Sequence, residues 1–572
     1  MRTTGAELVV RVLEEEGVRF AFGIPGTHNI ELYDALARSE EVEPVLVTDE
    51  QAASFMADGV ARSTGAAGVL NLVPGAGVTH ALSGIAEAYM DSVPLVVLAC
   101  GIRNDTGKAY QLHDIDQLAL LRPVTKAAWR AESPDRIVPL LRSAFALARS
   151  GTPGPVAVEI PANYYLLSHE VPEALPLPPL PEPPRPTPDA LAEAAAILGA
   201  ARRPALYLGL GAAGAADLLP RLAETLDAPV CTTISGKGVF PEHHPLFLWN
   251  GFGRSAPPFV RAAMDRCDAL LAVGCRFGEV ATGSYGLETP ANLIHVDVNP
   301  EVFGRNVAAR LDVTSDARAF VEALLPLLAA RPSSEALARA IADGHRAVRE
   351  TWAREASATR VTPAALFDAL AALAADPVFV ADSGNGTFLA MEHLRLDRPR
   401  SFLAPVDYSC MGYAPPAAIG AALANPGRDV VALCGDGALL MTGLELLTAA
   451  ARGVRLVACV LRDGELAQIA QFQRTALNRA TCAELADYSV EALARATNCE
   501  PYAVARDAEL EPVLRRAFDS ARAGRPALVD VAIDYTRKTY FTRGVVATNL
   551  LRLPWRDRLR FVGRALARRF GD

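Results

Sequence analysis

The chain has 572 residues, 51% of them hydrophobic and 21% charged, with 56 Lys and Arg against 65 Asp and Glu. That length suits three or four domains with ample apolar material for their cores, and a formal net charge of −9 argues against nucleic acid as the main partner. Nine cysteines lie scattered without a CxxC pair, mostly in apolar runs, and read as reduced thiols of a cytoplasmic protein, not as bridges or metal ligands.

The start, Met1-Arg-Thr-Thr-Gly-Ala-Glu7, runs directly into an amphipathic helix pattern and reads as carrying no signal peptide; no apolar run reaches a membrane span. Phe22-Gly-Ile-Pro-Gly-Thr-His28 reads as a strand entering a Pro-Gly turn. From Val47 to Arg62 a glutamate, Glu50, opens an Ala-rich helix; taken alone it only complements the helix macrodipole. Residues 107–117 form a polar loop carrying Gln111 and His113. Nine prolines between Pro172 and Pro188 mark an extended linker, so a first domain is expected over 1–170 and the linker over 171–189. Leu208-Gly-Leu-Gly-Ala-Ala-Gly214 follows an apolar strand and matches a dinucleotide fingerprint, weak by itself, inside a middle domain over 190–330. An Ala- and Arg-rich helical stretch, Pro332 to Arg360, fills a linker over 331–361, and the last domain spans 362–540. Strands and helices alternate in each domain, which predicts α/β architecture with three doubly wound parallel sheets.

The last domain holds the densest chemistry. Val430 to Cys434 and Leu456 to Leu461 read as buried strands and Leu439 to Ala451 as the helix between them, a βαβ unit. Gly435-Asp436-Gly437 leaves the first strand and Arg462-Asp463-Gly464 the second, so two carboxylates meet at the carboxyl edge of a parallel sheet, where such sheets bind ligands. Hard oxygen ligands there suit Mg²⁺ shared with phosphates. Glycines let the backbone approach a phosphate, and the helix N-terminus attracts an anion. The bland alternative is a simple strand-to-helix turn.

Together these motifs resemble the thiamin diphosphate enzymes of the acetolactate synthase, pyruvate oxidase and 2-oxo acid decarboxylase group, over about residues 3 to 535, and most resemble acetolactate synthase-like large subunits. The family pattern is Gly-Asp-Gly followed by Asn-Asn; here Asp463 takes the second Asn position and Arg462 departs from the first. The resemblance implies that Asp436, Asp463 and the backbone carbonyl of Glu465 hold Mg²⁺. It implies that Pro25, Gly26, Thr27, Gly384, Asn385, Gly386, Thr387, Gly435, Gly437, Ala438 and Leu466 line the cofactor, with Thr27 on its substrate side. The Ser409 carbonyl would accept the 4′-amino hydrogen, and Met411 would wedge beneath the bent cofactor. Glu50, in a segment that matches the family residue for residue, would bond N1′ of the aminopyrimidine and drive its activation. Two alignments of 107–117 compete and place either Gln111 or His113 at the substrate. Gly274 to Gly283 and His295 to Pro300 resemble segments that hold FAD in flavin-containing members, which leaves FAD open.

Glu50 and Asp436 fall in different domains, and the resemblance implies that two subunits face each other to complete the site, in a homodimer or a dimer of dimers. The expected reaction decarboxylates a 2-oxo acid, most simply pyruvate, and ligates the remainder to a second carbonyl acceptor. Simple decarboxylation, flavin-linked oxidation and a non-catalytic membrane-docked scaffold are the alternatives. The last expectation concerns a basic amphipathic C-terminal tail, 541–572. From Asn549 to Asp572 seven Arg oppose two Asp, and Trp555, Leu559, Val562, Leu566 and Phe570 recur at helical spacing. Such a helix suits an anionic membrane surface, which would make the protein peripheral, or the acidic body of its own oligomer.

Overall fold

The structure, a computed structural model, describes residues 2–172, 182–354, 357 and 359–570, with backbone alone at 562 and 565–570. Residues 173–181 of the predicted linker lie outside that set.

Long apolar runs bounded by turns produce three six-stranded sheets, and every pairing inside them is parallel. The N-terminal sheet runs Glu43–Leu46, Phe20–Gly23, Gly68–Leu72, Leu95–Gly101, Val156–Pro161, Ala127–Arg130. The C-terminal sheet runs Phe402–Leu403, Val378–Ala381, Val430–Gly435, Leu456–Arg462, Ala527–Ala532, Glu500–Val504. With strands numbered along the chain within each sheet, both read 2-1-3-4-6-5. The middle sheet runs Phe247–Asn250, Val230–Thr232, Pro204–Leu208, Ala269–Val273, Asn292–Asp297, Leu311–Thr314. Its order, 3-2-1-4-5-6, is that of dinucleotide-binding folds. Central strands such as Leu95–Gly101 and Val156–Pro161 are buried throughout, as sheets covered by helices on both faces require. The expected three-domain α/β architecture is therefore present.

The two outer layers meet directly. The helix Glu50–Thr64 crosses the helix Ala414–Ala424 so closely that a Cβ on Gly59 would stand 2.0 Å from the Ala417 carbonyl oxygen, and one on Gly420 would stand 2.0 Å from that of Met56. Both glycines are requirements of that approach. Arg62, near the end of the first helix, is buried and gathers three acids. Its Nε donates to Asp58 at 2.7 Å and its Nη1 to Asp91 at 2.8 Å, while Glu87 stands 3.5 Å away. Nη1 also donates to the Ala404 carbonyl across the layer boundary. Burial and the charge of Asp91 push Glu87 up to about 9, so it keeps its proton at neutral pH while accepting from the Cys410 amide at 3.0 Å.

Three elements differ from expectation. The helix predicted over Leu439 to Ala451 starts at Asp436 and is broken into Asp436–Thr442, a 3₁₀ turn Gly443–Glu445 and Leu446–Arg452. Both ends of the break are pulled sideways: the Thr442 hydroxyl donates to the Gly412 carbonyl at 2.7 Å, and Glu445 accepts from the amide and hydroxyl of Thr48. The glycine run after Pro204–Leu208 opens a 3₁₀ segment, Leu210–Ala215, not an α-helix. Gly209 and Gly211 there pack against Gly274, leaving no room for a Cβ at any of the three. Finally, the tail is two helices. Tyr540–Arg552 is integral to the fold, with Gly544 against Ser255 and the Arg552 guanidinium over Tyr285. Trp555–Phe570 follows, and Arg564 bonds the end of the helix Ala467–Leu477 at Ala476 and Asn478. Trp555 and Leu559 are exposed, whereas the side chains of Val562, Leu566 and Phe570 lie outside the described residues. Among the described residues no helix is long and apolar enough to cross a membrane.

Candidate active site

An open parallel sheet leaves a crevice where successive connections leave in opposite directions, beside its first strand. In the C-terminal sheet that crevice lies between Val378–Ala381 and Val430–Gly435, and the loops leaving these strands carry the expected motifs. Gly384 has φ +133°, a conformation essentially restricted to glycine. Asn385 opens the helix Asn385–His393, and its buried amide nitrogen has no partner. The Thr387 hydroxyl donates back to the Asp382 carbonyl at 2.7 Å. A Cβ on Gly435 would meet nothing within 4 Å, so the turn there is open. An orphaned donor at a helix N-terminus, beside glycine backbone, fits the oxygens of a diphosphate.

Asp436 is 2% exposed, and Ala438 is buried behind it. One Asp436 oxygen accepts from the Gly437 amide at 2.9 Å, the other from the amides of Gly464 at 2.8 Å and Asp463 at 3.3 Å. Burial raises its pKa against those bonds. Asp463 is pushed up to about 6, by burial first and then by the charge of Asp436. Two acids that repel at adjoining strand ends form an oxygen-only set that a hard divalent cation would neutralise. Glu465 spends its carboxylate on Arg474 at 2.8 Å, which leaves its backbone carbonyl as the group it can offer. Leu466 is seated by its amide bond to the Ala483 carbonyl at 2.7 Å and reaches Gly437, where a Cβ would lie 2.6 Å from it. Arg462, the departure from the family pattern, donates sideways to Asp530 on the neighbouring strand at 2.8 Å.

The Ser409–Met411 loop is tied to the same strand end. Asp382 accepts from the amides of Gly412 at 3.0 Å and Ala414 at 2.7 Å, and the Ser383 and Ser409 hydroxyls bond at 2.8 Å. Met411 is half-buried against the core shared by the outer layers. Asp382 was not singled out in the sequence; an acid closing a buried strand just before a glycine turn is the signal that marks it.

The N-terminal crevice lies between Phe20–Gly23 and Gly68–Leu72. The turn Pro25-Gly26-Thr27 leaves the first strand, and a Cβ on Gly26 would stand 2.5 Å from Val73 on the second strand's exit. Asn29 locks the turn by accepting from the Gly26 amide at 2.8 Å. The Thr27 hydroxyl lies 3.2 Å from His28 Nδ1, and the His28 ring meets His113 edge to face at 5.4 Å. Burial and the neighbouring His113 lower the pKa of His28, which favours its neutral form. Of the two loop candidates, His113 stands with this turn, held in left-handed backbone at φ +66° with its carbonyl against Gly75. Gln111 instead donates to the Arg103 carbonyl at 3.0 Å. Buried Gln117 braces the arrangement, accepting from the Gly75 amide and donating to Cys100 and Glu159.

Glu50 begins its helix after Asp49, whose carboxylate caps it through the Gln51 amide at 2.8 Å. The Glu50 side chain is nearly buried. One oxygen faces Gly77, where a Cβ would come within 3.0 Å, and the other lies 3.3 Å from His80 Nδ1. His80 was not recognised in the sequence, where a single His on an Ala-rich helix has no periodic signature. Among the described residues, the side-chain bonds of Glu50, Thr27 and His113 stay within the N-terminal layer, and those of Asp436 and Asp463 within the C-terminal one.

These two crevices correspond to known sequences. Residues 3–120 match the family described as thiamine pyrophosphate enzyme, N-terminal TPP binding domain; residues 191–324 match its central domain and residues 382–531 its C-terminal TPP binding domain. The chain belongs to the thiamine pyrophosphate enzyme family. It is 31% identical over 560 residues to the probable acetolactate synthase large subunit of Methanocaldococcus jannaschii, covering 93% of this chain and 92% of that one. It is also 31% identical to the acetolactate synthase isozyme 3 large subunit of Escherichia coli, over 94% of this chain and 96% of that one. The acetolactate synthase of Mycobacterium bovis is 34% identical over 82% of this chain and 78% of its own length. This thiamine pyrophosphate enzyme is therefore acetolactate synthase-like, and family membership speaks against the scaffold alternative.

In its middle layer two of the residues resembling an FAD site bond to other parts of the protein. Arg276 pairs with Asp407 at 2.6 Å and donates to the Met90 carbonyl at 2.7 Å. His295 bonds the Cys275 carbonyl through Nε2 at 2.8 Å, and its buried Nδ1 has no partner. All nine cysteines are free.

Proposed function

We propose that the protein is a thiamin diphosphate- and Mg²⁺-dependent carboligase that decarboxylates a 2-oxo acid, most simply pyruvate, and joins the remainder to a second carbonyl, giving acetolactate or another acyloin. The observation that carries the metal and diphosphate reading is the Asp436–Asp463 pair beside the unpartnered Asn385 amide. The diphosphate would be held by Gly384 to Thr387, Gly435, Gly437, Ala438 and Leu466. Mg²⁺ would be held by Asp436, Asp463 and the Glu465 carbonyl. The thiamin rings would rest on Met411 and the Ser409 carbonyl. When bound, the cofactor would supply a carbanion to add to the 2-oxo group and a cationic ring to take up the electron pair released with CO₂.

In this reading Glu50 holds a proton at N1′ of the aminopyrimidine. Its carboxyl is nearly buried, which strengthens such a bond. Thr27, His28 and His113 face the reacting carbon, and imidazoles there offer ring nitrogens that can accept and return protons. Gln111 is left out of this role. Because the Glu50 and Asp436 clusters share no side-chain bond within one chain, we infer that a second copy completes each site, in a homodimer or a dimer of dimers. Leu440, Met441 and Leu444 beside the Asp436 turn are half exposed or more, an apolar surface that such a copy would cover. We retain 1–170, 190–330 and 362–540 as the three domains and a cytoplasmic location, with Trp555 and Leu559 available to a membrane surface. Vesicle flotation of the chain with and without residues 554–572 tests the last point, and equal flotation sinks it.

A screen of 2-oxo acids with and without aldehyde or ketone acceptors, read by mass spectrometry, tests the reaction. Ligated products support it. Aldehyde alone shifts the assignment to simple decarboxylation, and dependence on an electron acceptor with a flavin absorption spectrum shifts it to oxidation.

A further inference from the structure

We propose that His80 is a positioning residue that governs proton exchange at Glu50. This inference rests on the thiamin reading of Glu50 and adds a group that the reading does not contain.

The geometry has three parts. The strand Gly68–Leu72 exits through Pro74-Gly75 into the helix Ala76–Met90, and the two residues of that helix that meet the Glu50 carboxyl are Gly77 and His80, one helical turn apart. Gly77 is the close wall: a Cβ there would stand 3.0 Å from Oε1, so the bare glycine leaves that oxygen room for N1′ in the thiamin reading. His80 is the open wall: its Nδ1 lies 3.3 Å from Oε2 while its side chain is 61% exposed. The carboxyl thus has one oxygen beside a bare glycine and the other beside a partly exposed imidazole.

The ionisable surroundings favour exchange through that ring. Asp49, on the turn before Glu50, has an oxygen 3.9 Å from His80 Nδ1 and is itself exposed. Asp49, Glu50 and His80 offer ligand-type atoms all within 4.8 Å of one another. From the other side Tyr33 faces Glu50, whose charge, after burial, raises the phenol's pKa; the Tyr33 hydroxyl is buried and unpartnered, so it stays protonated. On its own helix the next acid, Glu87, is committed to Arg62 and the Cys410 amide. His80 is therefore the group in contact with Glu50 that carries both a proton-accepting and a proton-donating ring nitrogen and also reaches solvent.

The step balances simply. A proton on Glu50 Oε2 passes to His80 Nδ1 as the opposite ring nitrogen releases one to water, and the reverse sequence restores it. No bond to carbon changes. The consequence is kinetic: how fast Glu50 regains its proton limits how often it can support exchange of the cofactor's C2 hydrogen.

The test follows deuterium exchange at C2 of bound thiamin diphosphate by quenched-flow NMR, with binding measured separately by calorimetry. Wild type should exchange and Glu50→Gln should bind but not exchange; if wild type neither binds nor exchanges, the thiamin reading itself fails. With that control in hand, His80→Gln should bind within a few-fold of wild type, exchange about 10-fold or more slowly, as loss of a proton-transfer group predicts, and lose an inflection from the wild-type pH profile. Added imidazole should restore part of the rate. His80→Asn, shorter but still polar, should behave like His80→Gln. A His80→Gln or His80→Asn protein with unchanged exchange and an unchanged profile overturns the proposal, as does weakened binding with a wild-type profile, which marks a purely structural role.

Discussion

The N-terminal and C-terminal layers share one strand order, 2-1-3-4-6-5, and place their working loops at the same crevice, yet they fill it with opposite chemistry. The C-terminal crevice is built from glycine turns, an orphaned amide and two acids that accept bonds from backbone amides. The N-terminal crevice is built from side chains: Glu50, His28, His80 and His113, drawn from four separate segments. Topology sets where a ligand can sit. The loops then decide whether that place grips phosphate and metal or moves protons. A cofactor with a diphosphate at one end and a proton-bearing ring at the other needs one crevice of each kind.

Substitutions should separate the two halves. The largest effect is expected from Glu50→Gln: C2 exchange should fall by about 10²- to 10⁴-fold while calorimetry shows cofactor affinity within a few-fold. A parallel loss of binding would mean that the N-terminal crevice also grips. Asp436→Ala should do the converse and weaken thiamin diphosphate and Mg²⁺ binding by about 100-fold or more, some 2.7 kcal/mol. Retention of tight binding would remove the metal site from the account.

A third change tests the contact that holds the layers together. Gly59→Val drives a side chain into the Ala417 carbonyl and should cost about 1–3 kcal/mol in urea unfolding, with C2 exchange in the folded protein largely preserved. The smallest effect concerns Glu87. Its folded pKa is raised to about 9, so the folded state holds the proton more tightly than the unfolded chain does. Its contribution to stability is full below the ordinary carboxyl range and is lost as pH rises through about 9. Stability should therefore decline over that window, and Glu87→Gln should flatten the decline. An equal slope in both proteins would place the proton elsewhere in the Arg62 cluster.

The same contrast explains what could be read from the sequence. Backbone-dominated function leaves a sequence mark, because Gly384 is demanded by its conformation and Gly437 by the close approach of Leu466, and apolar strands around them set the edge on which Asp436 and Asp463 emerge. Side-chain function leaves less. His80 sits on an unremarkable Ala-rich helix, and only the Glu50–Thr64 packing brings it to a carboxyl. The choice between Gln111 and His113 turns on left-handed backbone at Tyr110 and His113, which neither residue type announces. The break at Gly443 depends on Thr442 and Glu445 being drawn to loops distant in sequence. The tail was legible as a helix pattern, but that its first half packs on the Ser255 and Tyr285 turns of the middle layer was not.

The central claim is that one copy's Glu50 crevice works with the Asp436 crevice of another. Mixed dimers of Glu50→Gln and Asp436→Ala chains, each inert alone, test it most directly through C2 exchange. A shared site predicts that each mixed dimer regains one working centre, from the intact Glu50 of one chain and the intact Asp436 of the other. Mixed dimers that form, yet exchange no faster than the separate variants, would contradict it, because each chain would then need its own pair.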